Sequence, residues 1–329
     1  MPNKSIRSVS VIIIFMVLAI AASVLSIATG AVMVPLRDIA AAVLQHDLPG
    51  VNREIIWNIR LPRTLVAMLV GANLAVSGAL LQGIMRNPLA DPHIIGVSSG
   101  AGLFGIFLLV VMPQYDYLLT PAAFIGATLA AFIIYLLSWK DGVNPLRIVL
   151  AGVAVSAFLG SGISAMLTFY SDRVQGALLF MVGGLAAKSW PDLSIILPYS
   201  LIGLALSMLF SKQMNIMMLG DATARSLGIR VELSRLWITA IATLLAASAV
   251  SIAGLLGFVG LIIPHVARLL VGGDYRFLIP STALLGAAVL TICDTLARIM
   301  FSPMELPVGI IMGVLGAPFF LYLLRRKKA

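Results

Sequence analysis

Charged side chains are scarce in this chain of 329 residues. Asp, Glu, Lys and Arg together make up 11% of the sequence, whereas apolar residues make up 60%. A soluble domain normally carries about a quarter of charged residues. With a mean hydropathy of +1.07, the composition excludes a soluble globular protein and indicates an integral membrane protein.

Cysteine and the sequence signatures of common enzymes are also missing or nearly so. The single cysteine, Cys293, excludes a disulfide framework and a cysteine-based metal site. No GxxxxGK[ST] or HExxH occurs, so the chain has no P-loop for ATP. The three histidines, His46, His93 and His265, lie far apart, and two of them follow prolines, which favours hydrogen bonding over metal or haem ligation. We therefore expect no catalytic residues, no metal site and no cofactor in this chain.

Apolar stretches long enough to cross a bilayer recur along the whole chain. A span takes roughly 20 mostly apolar residues, and by this rule we predict ten spans, at 9–33, 64–84, 94–112, 118–139, 147–169, 193–210, 236–256, 258–271, 277–297 and 306–324. The third is rich in glycine and the eighth is short, so both are expected to be broken or half-buried. The stretch 176–187 is too short to span. The sequence thus predicts an all-α integral membrane protein, with one transmembrane domain over residues 1–329.

Basic residues are distributed unevenly between the two sides that these spans define. With the N-terminus in the cytoplasm, 15 of the 22 Lys and Arg residues fall on the cytoplasmic side, as the positive-inside rule requires. Both termini are then predicted to be cytoplasmic. Membrane topology accounts for the net charge of +9, and we expect no nucleic-acid partner.

The longest polar interval of the second half of the chain lies at about 211–235. It contains the segment Leu219-Gly-Asp-Ala-Thr-Ala-Arg-Ser-Leu-Gly-Ile229. Asp221 is placed to cap a short helix, Gly228 suits a left-handed stop, and Arg225 follows Asp221 at i+4. A short polar helix between spans suits docking to a soluble partner. The alternative is a linker that lies on the lipid headgroups.

A second polar break follows the second span. Asn87-Pro88 and Asp91-Pro92 stop the helix twice, and the chain then re-enters the membrane through a glycine-rich helix. Small residues on the second span, among them Gly71 and Gly78, predict close helix packing. Three polar residues in this span should face protein or a water-filled path: Asn73, Ser77 and Gln82. A second glycine-rich helix meets Pro264-His265, so we predict a weak inverted repeat, an arrangement found in many transporters.

Three arginines fall on the outer side, at the ends of spans: Arg60, Arg63 and Arg298. Such positions favour an acidic partner or a structural role, and snorkelling to the headgroups is the alternative. Asp294 lies four residues before Arg298, so the two are predicted to neutralise each other rather than to relay protons.

Several motifs stand in one order along the chain. They are Arg60-Leu-Pro-Arg63, the Gly78–Gly102 block with Gln82 and Asn87-Pro88-Leu89-Ala90, Leu219-Gly220…Ala224-Arg225…Leu227-Gly228, Gly257–Arg268, Asp294…Arg298, Glu305-Leu306-Pro307…Gly309 and Gly316-Ala317-Pro318. On these motifs, from Arg60 to Leu324, the chain resembles the FecCD-type permeases of ABC importers for iron–siderophores, haem and cobalamin.

The resemblance implies a ten-helix subunit of the type II importer fold. The subunit works as a dimer with a second copy or a homologous chain, and the transport path runs between the two. It implies ATPase coupling by Leu219, Gly220, Asp221, Ala224, Arg225, Leu227 and Gly228. Arg60, Arg63 and Arg298 match positions that dock an extracytoplasmic substrate-binding protein. Asn87, Pro88, Leu89 and Ala90 match a cytoplasmic gate, with Asn144 and Pro145 as a second gate element. ATP and Mg are expected on a partner ATPase dimer.

The expected function is that of the permease subunit of an ATP-driven importer in the bacterial cytoplasmic membrane. Its cargo would be a metal chelate. The range of substrates in the family favours an iron–siderophore, and haem and cobalamin are the alternatives. An ion-coupled secondary transporter is the alternative from another class. It would need no ATPase and would carry several carboxylates at mid-membrane, where only Asp294 comes near.

Overall fold

Long helices joined by short turns make up the described part of the chain. The computed structural model describes residues 4–30, 33–35, 37–39, 51–139 and 145–326. The helices are α1 (Lys4–Ala28), α2 (Leu61–Ile84), α3 (Val97–Ile106), α4 (Leu119–Ser138), α5 (Pro145–Phe169), α6 (Val174–Val182), α7 (Trp190–Leu209), α8 (Ser211–Met217), α9 (Asp221–Ser226), α10 (Val231–Ala253), α11 (Val259–Val271), α12 (Tyr275–Ile299) and α13 (Val308–Arg326).

The number of spans agrees with the prediction of about ten. Within the described residues, seven helices are long and apolar enough to cross a membrane, and three shorter apolar helices accompany them. The eighth span is short as predicted, since α11 has 13 residues. In the third span, which was predicted to be broken or half-buried, the α-helix α3 ends at Ile106 and a π-helix continues over Phe107–Val111. The second span begins earlier than predicted. Its polar side chains interrupt the apolar run without interrupting the helix, which extends back through a π-helical stretch, Ile55–Arg60.

Helix α2 lies at the centre of the bundle and packs against α7, α10, α11 and α12. Glycine makes this approach possible: a Cβ at Gly78 would lie 1.9 Å from the Gly260 carbonyl oxygen, and one at Gly71 would lie 2.2 Å from that of Gly286. Close packing along α2 is therefore confirmed. The small faces at Gly78, Gly100 and Gly102 are not open to a path between subunits, because neighbouring segments of the same chain lie against all three.

The polar side chains of α2 face protein, as predicted. Asn73 donates from Nδ2 to Ser200 Oγ at 2.7 Å and to Ser248 Oγ at 3.1 Å. Ser77 donates to the Ala242 carbonyl at 2.6 Å. Because buried polar groups in a membrane protein need such partners, these bonds fix α2 against α7 and α10.

Candidate functional site

Two charged clusters lie at opposite ends of the bundle, and the first surrounds the short helix α9. Gly220, with φ of +112°, forms the turn between α8 and α9. At the other end Gly228 has φ of +81°; its amide donates to the Arg225 carbonyl, and the Ile229 amide donates to that of Ala224. This pair of bonds is a Schellman stop, so the predicted role of Gly228 is confirmed.

Asp221 does not cap α9, which corrects the sequence interpretation. Gly220 occupies the N-cap position and Asp221 is the first helical residue. Its carboxylate instead accepts hydrogen bonds from Arg86, which precedes the predicted gate residues, and from Nη2 of Arg235, on α10, at 3.1 Å. Burial alone would raise the pKa of Asp221, but the two guanidinium groups outweigh burial and hold this pKa below its usual value. The carboxylate therefore stays ionised and ties α9 to the bundle.

The solvent-exposed surface of the α9 segment combines apolar and basic side chains. Leu219 and Leu227 are 63% and 57% exposed. Arg225 is also exposed and contacts Glu232 Oε1 at 3.4 Å, rather than Asp221 as the i+4 spacing suggested. Ala224 is fully buried and holds the helix against the protein. The segment thus presents a firmly held, mixed surface at one end of the bundle.

The predicted gate residues form a tight turn directly after α2. Asn87 Oδ1 accepts from the Leu89 amide at 3.0 Å, and the Asn87 carbonyl accepts from the Ala90 amide at 3.0 Å. Pro88 is half-buried and Ala90 is fully buried. This is an Asx turn, in which the Asn side chain bonds the backbone two residues further on. Of the second gate element, Asn144 lies outside the described residues and Pro145 is the first residue of α5.

The second cluster, which we call the arginine cluster, lies at the opposite end and contains Arg60, Arg63, Arg298, Asp294 and Glu305. Arg63 binds both oxygens of Asp294, through Nε at 3.0 Å and Nη2 at 2.9 Å, and binds Glu305 Oε2 through Nη1 at 2.7 Å. Arg298 Nε lies 3.5 Å from Asp294 Oδ2. The predicted pairing of Asp294 with Arg298 is therefore present, but the principal partner of Asp294 is Arg63.

The three arginines are less exposed to solvent than their predicted positions at the ends of spans suggest. Their exposed fractions are 5% for Arg60, 6% for Arg63 and 7% for Arg298. Arg60 donates to the Ile27 carbonyl at 2.7 Å and Arg298 to Ser26 Oγ at 2.8 Å, so both guanidinium groups hold the end of α1. Glu305 is the cluster member whose side chain reaches the surface, at 45% exposed.

Sequence reasoning missed three members of these clusters: Arg86 and Arg235 as partners of Asp221, and Glu305 as a partner of Arg63. Arg63 and Glu305 are 242 residues apart, and Arg86 and Asp221 are 135 apart. No spacing rule reaches over such separations. An excess of charged residues near the predicted ends of spans was the available signal.

Comparisons with known proteins agree with this architecture. Residues 17–326 match the model of the FecCD transport family. The chain is 42% identical to the cobalamin import system permease protein BtuC of Halobacterium salinarum, over 88% of this chain and 78% of that protein. It is 42% identical to the Fe(3+)-citrate import system permease protein YfmD of Bacillus subtilis, over 83% and 81%.

A solved structure of a metal-chelate type ABC transporter in an inward-facing conformation superposes with a TM-score of 0.84. It is 29% identical and covers 96% of this chain and 99% of that one. Because the match covers nearly the whole chain, the all-helical architecture is that of an ABC importer permease. The chain therefore belongs to the FecCD transport family and is a multi-span membrane permease subunit of that kind of importer.

Proposed function

We propose that this permease carries an iron–siderophore into the cell, as one unit of a dimer that an ATPase pair drives and a substrate-binding protein loads. The observation that carries the proposal is the placement of the two clusters at opposite ends of one bundle: an exposed, anchored helix at one end and a group of arginines at the other. An importer needs a contact for the motor on the inner side and one for the donor of substrate on the outer side.

The α9 segment is the proposed contact with the ATPase. A motor domain can move the permease only through a surface element that is fixed to the rest of the protein. Helix α9 is fixed by its Schellman stop, by buried Ala224 and by the ion pairs of Asp221. Exposed Leu219 and Leu227 supply apolar contact area, and Arg225 supplies a charge at the surface. This assignment puts α9, and with it both termini, in the cytoplasm, since the spans alternate in direction.

The arginine cluster is the proposed dock for the binding protein. Among the described residues, the guanidinium groups of Arg63 and Arg298 share the Asp294 carboxylate, and guanidinium groups at this end suit acidic side chains of a partner. Arg63 is already bound at all three of its nitrogens, so a carboxylate of the partner must replace Glu305, the half-exposed member. Replacing Glu305 with Gln should therefore strengthen docking at low salt, and weaker docking would contradict this role.

Helix α5 supplies the proposed wall of the path between two subunits. Its exposed face mixes apolar groups such as Phe158 with the hydroxyl groups of Ser161, Ser164 and Thr168. Hydroxyls on a membrane-spanning face suit a partner helix and a polar cargo better than lipid. The occupant of this face is, in our proposal, a second copy or a homologous chain. Asn87 to Ala90 and Asn144–Pro145 would then close the path on the cytoplasmic side.

An uptake assay tests the choice of cargo. The chain is reconstituted in liposomes with its ATPase and binding protein, and ATP-dependent uptake is measured for a ferric hydroxamate, ferric citrate, haemin and cobalamin. We expect a ferric chelate to be transported at least tenfold faster than cobalamin. Because relatives named for cobalamin and for ferric citrate are equally similar, faster transport of cobalamin would replace the iron proposal with the cobalamin alternative.

A further inference from the structure

Arg86 occupies an unusual position between α2 and the turn of the proposed gate, Asn87 to Ala90, which we call the gate turn. Its backbone φ is +46°, a left-handed conformation that side-chain-bearing residues adopt rarely. It follows the C-cap residue Met85 and directly precedes Asn87. The motif for the gate begins one residue later, so sequence reasoning assigned Arg86 no role. A strained backbone next to a functional turn points to a constraint that the surrounding contacts impose.

The side chain of Arg86 spans the junction between α8 and α9. Its Nη2 donates to the carbonyl of Met217, the last residue of α8, at 3.0 Å, and also binds Asp221 Oδ1, on the first residue of α9. One guanidinium nitrogen therefore joins the two sides of the Gly220 turn. Any displacement of α9 relative to the bundle must move or break this contact.

The same carboxylate also binds a fixed element of the bundle. Asp221 accepts from Arg235, whose side chain is 3% exposed and belongs to α10. Arg86 is in contrast 41% exposed, at the surface. Asp221 thus has one immobile partner and one partner that leads directly into the gate turn. A shift of α9 is expected to be transmitted through the second.

The gate turn is built to follow Arg86 as a unit. The Asn87 amide donates to the Gln82 carbonyl at 3.1 Å, and Asn87 closes the turn onto Leu89 and Ala90 by the two bonds described above. We propose that Arg86 is the positioning residue that links the ATPase-coupling helix α9 to the cytoplasmic gate. The inference rests on the proposed function of these two elements.

Arg86→Gln in the reconstituted complex with ATPase and binding protein provides the test. The measured quantity is the number of chelate molecules imported per ATP hydrolysed. We expect hydrolysis to stay within about twofold of wild type and the imported amount per ATP to fall at least tenfold. Arg86→Lys, which keeps the charge, should restore part of the ratio. Arg276→Gln is the matched control, because Arg276 also pairs with an aspartate at this end, Asp274 at 2.6 Å.

A distance measurement separates coupling from simple support of the fold. Spin labels on Thr223→Cys in α9 and Leu89→Cys in the gate turn are followed with and without ATP; the native Cys293 is buried. In wild type both labels should move with nucleotide. In Arg86→Gln the label on α9 should still move and the label on the gate turn should not. A folded Arg86→Gln complex with a normal import ratio, or with both labels still moving together, would overturn the inference. A wild-type complex without ATP-dependent uptake would instead overturn the proposed function.

Discussion

Removing the charge of Asp294 should destabilise the fold strongly. Asp294 is 1% exposed. Its two carboxylate oxygens accept hydrogen bonds from Arg63 at 2.9 and 3.0 Å, and Arg298 Nε lies 3.5 Å from one of them. In Asp294→Asn an amide group faces guanidinium donors. Arg63 then keeps Glu305 as its carboxylate partner, and Arg298 loses its ion pair with Asp294. Removal of one partner from a buried ion pair costs about 3–5 kcal/mol. We expect a loss of this size in the free energy of unfolding.

The assay is denaturant titration of the purified protein in mixed micelles, followed by circular dichroism. Asp172→Asn is the matched control, because Asp172 is 74% exposed beside Arg173 at 3.5 Å and should change stability by no more than about 0.5 kcal/mol. A loss below about 1 kcal/mol for Asp294→Asn, with an unchanged denaturant slope, would refute the inferred role of this buried pair.

Three further outcomes follow from other contacts. Gly78→Ala should lower stability by about 3 kcal/mol or more, because its Cβ would lie 1.9 Å from the Gly260 carbonyl oxygen; Gly160→Ala, with no atom within 4 Å, should not. Hydrogen bonds from Arg276 lower the pKa of Asp274 to about 2, so the stability lost in Asp274→Asn should be full above pH of about 4 and vanish as pH falls towards 2; a loss independent of pH would contradict this. Arg225→Glu should reduce coupled ATP hydrolysis and uptake without reducing expression, and unchanged uptake would count against the α9 assignment.

Much of the fold could be predicted because membrane insertion leaves a clear record in sequence. The number of spans follows from apolar length, and the short eighth span follows from the length of its apolar run. The left-handed stop at Gly228 was predictable because glycine adopts that conformation without a steric cost. Each of these features depends on local composition alone.

The site was harder to predict because its contacts are not local. The i+4 spacing correctly indicated the Asp294–Arg298 contact, but Arg63, which is 231 residues away from Asp294, binds that carboxylate more closely. Likewise the sequence indicated close packing at Gly78 but not its partner, which is Gly260, 182 positions further along the chain. Sequence shows that a helix face is small; it does not show which neighbouring helix covers that face.

We propose that this chain moves cargo only when an ATPase bound to its α9 surface hydrolyses ATP. The most direct test compares chelate accumulation in liposomes that hold the complete complex with accumulation in liposomes whose ATPase binds ATP but cannot hydrolyse it. We predict uphill accumulation in the first and none in the second. Uphill accumulation with the inactive ATPase, or with the permease alone under a proton or sodium gradient, would contradict the account.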